Sequence, residues 1–311
     1  MAIPRAAGTA EPPATNPWAA KAQQSGISPL HRQAYQQLAK LHAFKSPEFD
    51  TGVLLYDASR PNPMTVLRDM DVKVLPVLAE ALSDDTPTKT VDVWYATSSH
   101  RAGQKPPIHV WKVNELAALL IRDITDEKFF VGEINLRNLE SHRDRIPAFQ
   151  QQILEWYQQN RKRTREERKI EKLNGDLQDR VDAAAWLGHW KSTKAIPFLI
   201  ARADTLLREQ RELHSSAVEL AAVSAALGQI GDRRALPAVE RVCNRLSSPF
   251  RSWSDSRACD NSFSAFHALA LLGHKKEALA ELQRVYEKYG AKMEPAARAE
   301  YKKRLGEAEN W

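Results

Sequence analysis

The chain has 311 residues, 43% of them hydrophobic and 27% charged, which is an ordinary globular composition with enough length to bury a substantial core. Its 45 Lys and Arg exceed its 39 Asp and Glu by six charges, a small excess that only mildly favours acidic partners. No apolar run approaches the roughly 18 residues of a membrane-spanning helix. The N-terminus lacks the apolar segment of a secretory signal, so we expect a cytoplasmic protein by default, or an exported one if a signal peptide has been removed.

The first half of the chain predicts irregular helices. Residues 1–27 are rich in Ala and Pro and are predicted to be a disordered tail or linker. Residues 28–160 are predicted to form irregular helical repeats, with a helix over 28–41, a helix pair over 64–70 and 71–82, and further helices over 113–124 and 146–157. The insert at 83–110 interrupts them, and within it residues 90–97 alternate enough to form a short strand pair or an extended loop. Irregular stretches of this length are often functional.

A basic run follows the helix predicted at 146–157. Residues 160–172 read NRKRTREERKIEK, and we predict that they continue this helix into solvent and lead into a turn at 174–175. Residues 161–176 as a whole are predicted to form a charged connection to the next repeats. The basic residues Arg161, Lys162, Arg163 and Arg165 could contact phosphates. The glutamates interleaved with them favour instead a solvated helix end held by salt bridges.

Residues 215–247 predict a helix, a corner and a second helix. The stretch 217–227 is apolar on nearly every side, so we expect other helices to cover it on most sides. Gly228 and Gly231 are predicted to bracket the corner. After it, a single apolar stripe indicates an amphipathic outer helix, with Pro237 in its first turn.

This helix pair recurs with a period of about 40 residues. Pro197 and Pro237 are 40 residues apart, and Ala268–Leu282 repeats the pattern once more. His189 and His274 follow Gly188 and Gly273, and we interpret them as equivalent corner residues. Trp186 and Trp190 are four residues apart, which is typical of two side chains that share one buried helix face.

The run Leu-Gly-x-x-Gly-Asp-x-x-Ala-Leu-Pro at Leu227–Pro237 resembles the HEAT-like repeats, in particular the short variety named after phycobilin lyases. The resemblance is best over 177–290, the predicted regular repeats. It implies an all-α, right-handed α-solenoid of about five helix pairs. Residues 291–311 are predicted to form a C-terminal capping helix, because few of their positions are apolar. It is nearly silent on activity, because the family consists mostly of adaptors and includes a few enzymes.

The insertions predict a binding surface. The connections at 83–110, 161–176, 207–213 and 248–261 all lead from an outer helix to the next inner one, and in a solenoid such connections lie along one edge. Two of them carry aromatic and basic residues of the kinds that anchor interfaces or stack on bases. The alternative is that these side chains hold their own loops on the scaffold. The candidate binding residues are Trp94, Tyr95, His100, Arg101, Lys105, Phe250, Arg251, Trp253 and Arg257.

These patterns favour a non-enzymatic scaffold that binds another protein through a concave face and this aromatic and basic rim. One alternative is a nucleic-acid-binding protein similar to the HEAT-like alkylpurine DNA glycosylases, with Arg161–Lys169 and Trp186 as the first suspects. No residue matches that family's active site, so no catalytic residue is predicted. The other alternative is a chromophore-lyase-like enzyme.

No cofactor or metal is predicted from the sequence, because Cys and His do not recur at zinc-ligand spacing. Cys243 lies on an apolar helical stripe and is interpreted as a buried, inert thiol. Cys259 lies in a predicted polar loop and could pair with it only if the geometry allows.

Overall fold

The computed structural model describes residues 16–43, 62–93, 108–127, 129, 136–209, 213–247 and 256–311. Across this part the chain is all-α, apart from one two-stranded sheet. It divides into two compact units, Met1–Lys162 and Arg163–Trp311. The described elements of the first unit are α1 (Pro17–Ala22), α2 (Pro29–Leu41), α3 (Pro63–Asp69), α4 (Leu75–Ala81), β1 (Pro87–Val93), β2 (Ile108–Lys112), α5 (Val113–Thr125) and α6 (Ile146–Asn160), with 3-10 turns at Asp71–Val74 and Leu136–Arg145.

The first unit is built around α4 and α5. Leu78 of α4 and Leu116 and Leu120 of α5 are fully buried, and α4 also contacts α2 and α6. The helices predicted at 28–41, 113–124 and 146–157 are confirmed by α2, α5 and α6. The insert contributes β1 and β2, which pair antiparallel with Val91 opposite Val110. Residues 90–93 of the predicted stretch 90–97 therefore belong to a strand whose partner lies at the other end of the insert, and residues 94–97 lie outside the described residues.

The prediction of a disordered tail over 1–27 is wrong for residues 16–27, because this stretch contains α1. The side chain of Asn16 caps α1 by accepting hydrogen bonds from the first turn, and Pro17 begins the helix. Trp18 is buried, stacks on Tyr35 with 5.9 Å between ring centroids, and donates its indole N–H to Asp84. One buried tryptophan thus anchors a helix that the Ala- and Pro-rich composition concealed.

The second unit contains eight described helices. They are α7 (Arg165–Lys172), α8 (Leu177–His189), α9 (Ile196–Arg208), α10 (Leu213–Ile230), α11 (Leu236–Leu246), α12 (Ser256–Leu271), α13 (Lys275–Tyr289) and α14 (Pro295–Ala308), with 3-10 turns at Thr193–Ala195, Arg233–Ala235 and Gly290–Lys292. Helix α10 contacts α8 and α12 on its two sides and also α9 and α11. Its residues Leu220, Val223 and Leu227 are buried. The prediction that 217–227 is covered on most sides is therefore confirmed.

Two glycines set the separation of α8, α10 and α12. A Cβ atom on Gly188 would lie 2.6 Å from the Cα atom of Ala226, and one on Gly228 would lie 2.5 Å from the Cα atom of Ala268. Both glycines lie within their helices, so the prediction that Gly228 brackets the corner is wrong. Each contact joins the C-terminal parts of two neighbouring helices, and α8, α10 and α12 therefore end side by side.

The corners between the paired helices share one backbone pattern. Each corner contains a residue with positive φ shortly after the end of the first helix: Lys191 (50°), Gly231 (77°) and Gly273 (98°). The next residue is the N-cap of the following turn or helix: Ser192, Asp232 and His274. His274 therefore corresponds to Ser192 and not to His189. The interpretation of the two histidines as equivalent is wrong, because Gly188 is a helix-contact glycine and Gly273 is a left-handed one.

Lys191 occupies a position where its neighbouring corners use glycine, and this gives a testable prediction. A left-handed conformation costs a non-glycine residue about 1–2 kcal/mol, which is offset in part by the extra unfolded-state entropy of glycine. We expect Lys191→Gly to raise the Tm by about 2 °C. Gly231→Ala is the reciprocal variant and should lower it. Thermal melts that showed Lys191→Gly to be destabilised would contradict the equivalence of the two corners.

Candidate surfaces for binding

Most of the predicted rim belongs to ranges that the structure does not describe. Trp94, Tyr95, His100, Arg101 and Lys105 lie outside the described residues, as do Phe250, Arg251 and Trp253. Arg257 lies in the first turn of α12, but the described part does not include its side chain. The rim remains a prediction.

The basic run does not continue the preceding helix, and that prediction is wrong. Helix α6 ends at Asn160, Arg161 and Lys162 are exposed, and α7 starts afresh from a capping box between Thr164 and Glu167. Arg168 and Lys169 are buried. The reason is amphipathicity: Ile170 and Leu173 belong to the core of the second unit, and they bring α7 down onto α8.

The cations of α7 are largely engaged within the second unit. Arg163 forms an ion pair with Glu171, and the Arg165 guanidinium lies 5.4 Å from the ring centroid of Trp186. The ammonium of Lys169 lies 5.9 Å from the same ring. These contacts agree with the salt-bridged alternative, although the run forms a separate helix. Two of these basic residues, Arg165 and Lys169, cover the ring of Trp186.

Glu166 of α7 holds the first corner. Its carboxylate accepts a 2.6 Å hydrogen bond from the Ser192 hydroxyl and lies 3.2 Å from the Lys194 ammonium. The hydrogen bond from Ser192 is the main reason that the pKa of Glu166 is lowered. The corner after α8 is thereby fixed to α7.

Trp186 and Trp190 do not form a buried pair. Trp186 is half-buried and packs against the core of the second unit, whereas Trp190 is 57% exposed. The Trp190 ring lies 5.9 Å from that of Trp186 and 5.4 Å from the imidazole of His189. The interpretation as core residues is wrong for Trp190, because it caps the C-terminus of α8 and no longer follows the helical face.

We call residues 189–198, 229–237 and 271–277 the corner edge. They meet at one edge because the C-termini of α8, α10 and α12 lie side by side. The edge is rich in cations, namely Lys191, Lys194, Arg233, Arg234, Lys275 and Lys276. Five of the six residues that follow the three N-caps are basic, although cations at a helix N-terminus oppose its dipole. Helix stability does not explain their placement.

The corner edge also carries exposed apolar side chains. Among the described residues, four large hydrophobic side chains stand out as exposed, and three of them are Trp190, Phe198 (51%) and Leu271 (48%) of this edge. Large exposed apolar residues that cluster with charged ones mark interaction sites on many proteins.

A second surface, which we call the inner face, consists of the solvent-facing stripes of α8, α10 and α12. Its members are Gln178, Asp182, Ala185 and His189 on α8, Val218, Ala222, Ala225 and Gln229 on α10, and Asp260, Ser264, His267 and Leu271 on α12. The last member of each stripe also belongs to the corner edge, so the two surfaces adjoin there. The stripes have identical spacing on the three helices. The middle of the face is made of small residues, so backbone lies close to the surface there.

A buried carboxylate ties three helices together near the start of α10. Glu219 is 1% exposed and accepts a 2.8 Å hydrogen bond from Nε of Arg180 on α8. Arg202 of α9 donates through both Nε and Nη2. Burial alone would raise the pKa of Glu219, but hydrogen bonds and charge from Arg202 and Arg180 outweigh it, and the pKa is lowered. The two guanidiniums satisfy the carboxylate, so this cluster is structural.

Cys243 is buried on α11, and desolvation raises the pKa of its thiol to about 12. The interpretation as a buried, inert thiol is confirmed. Cys259 lies in α12, not in a loop as predicted, and its side chain is outside the described part.

No family model matches the chain, and neither a curated protein nor a solved structure matches it. Among the described residues, no cluster of His, Cys, Asp and Glu is arranged to hold a metal ion. No helix in the described ranges is long and apolar enough to cross a membrane.

The sequence contained an unused signal for the corner edge. The pairs Thr193-Lys194, Arg233-Arg234 and Lys275-Lys276 each follow an N-cap residue, and this recurrence is visible without a structure. The predicted binding residues lie in the longest loops, whereas these cations lie in the short corners within each helix pair.

Proposed function

We propose that the protein is a non-enzymatic helical-repeat scaffold, with HEAT-like helix pairs stacked as a solenoid, that binds another protein. The observation that carries the proposal is the register of the second unit. Gly188 against Ala226 and Gly228 against Ala268 are the same contact made twice, with nearly the same spacing along the chain. Repeats that stack in this manner form extended concave surfaces, which is how such proteins hold their partners.

The inner face is the surface on which this proposal depends. Its small residues on α10, Val218, Ala222 and Ala225, leave an area where the backbone of a partner can approach closely. On the α12 side, Asp260 pairs with Arg304 and His267 lies against Trp311. The rim at 94–105 and 250–257 is proposed to add contacts from the loops. We favour a protein partner over nucleic acid because three cations of the suspected phosphate-binding run Arg161–Lys169 have partners within the second unit: Arg163 pairs with Glu171, and Arg165 and Lys169 lie over Trp186. Arg161 and Lys162 of that run are exposed.

Site-specific photo-crosslinking tests the proposal. p-Benzoylphenylalanine would replace Ala225 on the inner face and, as the matched control, Asn244 on the exposed face of α11. After irradiation in an extract of the source organism, we expect a discrete protein adduct from position 225 and none from position 244. Equal adducts from both positions, or none from either, would contradict the scaffold hypothesis.

A further inference from the structure

We propose that the corner edge binds an acidic polypeptide segment with apolar side chains interspersed among its carboxylates. This inference rests on the proposed function, since it names the chemistry of the partner and a second surface that holds it. Nucleic acid is the competing anionic ligand, and the test below separates the two.

The first argument is charge. Each of the three corners presents an exposed cation, namely Lys191, Arg233 and Lys276. In the described part of the chain, no carboxylate forms an ion pair with any of these three. The carboxylates that do lie at this edge already have partners: Glu166 pairs with Lys194, Asp232 with Arg234, and Glu277 approaches His274. A ligand that meets the exposed cations must therefore bring its own negative charge.

The second argument is the apolar content of the edge. Trp190 and Phe198 lie near the first corner, and Leu271 lies at the third. Aromatic rings stack on nucleic-acid bases as well as on protein side chains. A leucine side chain has no π-face for a base, but it packs readily against an aliphatic or aromatic side chain. The mixture of apolar and cationic residues thus fits a polypeptide better than an oligonucleotide.

The third argument is spacing. Packed helices lie about 8–10 Å apart, so three adjacent corners span about 20 Å. An extended peptide advances about 3.3 Å per residue, so a carboxylate at every third position meets one corner after another. The intervening side chains are then available to Trp190, Phe198 and Leu271.

The experiment is a fluorescence-anisotropy titration with the full chain. The probe is a fluorescein-labelled 15-residue peptide of five Glu-Ser-Leu repeats. The comparison ligands are the same peptide with Lys for Glu, the same peptide with Ser for Leu, and a labelled 15-nucleotide single-stranded RNA. We expect the Glu-Ser-Leu peptide to bind at least tenfold more tightly than each of the three.

Two double variants localise the binding. Arg233→Glu with Lys276→Glu reverses two charges at the corner edge, and Arg245→Glu with Lys302→Glu reverses two exposed charges elsewhere in the second unit. Both change the net charge by the same amount, and both are checked for folding by thermal melts. The edge variant should weaken peptide binding at least tenfold, which is about 1.4 kcal/mol, and the control variant by less than about twofold.

The outcomes separate this inference from the proposed function. Equal weakening by both variants, absence of peptide binding, or tighter binding of RNA that the edge variant abolishes would each overturn the inference. The crosslink from position 225 is measured independently in the edge variant. If it persists while the peptide fails to bind, the inference is wrong and the scaffold proposal stands.

Discussion

Gly228→Ala should destabilise the second unit strongly. The added Cβ would lie 2.5 Å from the Cα atom of Ala268 and 3.0 Å from its carbonyl oxygen, and these are backbone atoms that cannot rotate away. Helices α10 and α12 must therefore move apart, which loosens the packing along their whole contact. Overpacking of a core typically costs about 1–3 kcal/mol, and backbone contact places this site at the upper end. Urea denaturation at neutral pH measures the loss.

Gly306 provides the matched control for that substitution. It lies within α14, is exposed, and has no atom within 4 Å of the position of an added Cβ. Alanine there should raise the free energy of unfolding by about 0.5–1 kcal/mol, because glycine is a poor helix former. The two substitutions are chemically identical and should have opposite signs. A Gly228→Ala protein as stable as the parent would show that α10 and α12 do not touch at this point.

Glu219→Ala is the second substitution with a large expected effect. It would leave the guanidiniums of Arg180 and Arg202 without the carboxylate that both contact. Removal of one member of a buried charge cluster typically costs about 3–5 kcal/mol. The two arginine side chains are 20% and 21% exposed, so water compensates them in part, and we expect a loss of about 3 kcal/mol.

An exposed ion pair supplies the control for Glu219. Asp204 of α9 and Arg241 of α11 lie 2.6 Å apart with side chains 37% and 49% exposed. Asp204→Ala should cost less than about 1 kcal/mol, because exposed pairs are screened by solvent. If urea denaturation gave similar losses for both variants, Glu219 would not be the buried centre of the cluster.

The pH dependence of the Glu219 cluster follows from the sign of its pKa shift. The pKa of Glu219 is lowered in the folded state, so the ionised carboxylate adds stability at pH values above its unfolded pKa of about 4.3. That contribution is lost as the pH falls through the folded pKa. The stability difference between the parent and Glu219→Gln should therefore shrink as the pH is lowered from 7 to 3. A constant difference would show that the pKa of Glu219 is not lowered by folding.

The sequence by itself determined α8 to α11 of the second unit and their pairing, although it missed the separate helix α7 and the start of α12. The apolar stretch at 217–227, the stripe that follows it and Pro237 in the first turn reflect local physics, since helical periodicity and the geometry of proline need no distant partner. The 40-residue spacing of Pro197 and Pro237 indicated that the helix pair recurs along the chain. By the same local rules, Asn16 and Pro17 mark the start of α1, but the composition around them obscured this signal.

Only the tertiary structure decided which face each residue uses. Gly188 and Gly228 read like corner glycines, and their role as helix contacts depends on Ala226 and Ala268, which are about 40 residues away. Trp190 follows the spacing of a core residue, yet it lies past the helix end and is 57% exposed. The corner edge exists because three short turns, distant in sequence, end side by side. Spacing along a chain encodes periodicity, whereas burial and proximity depend on what packs against each face.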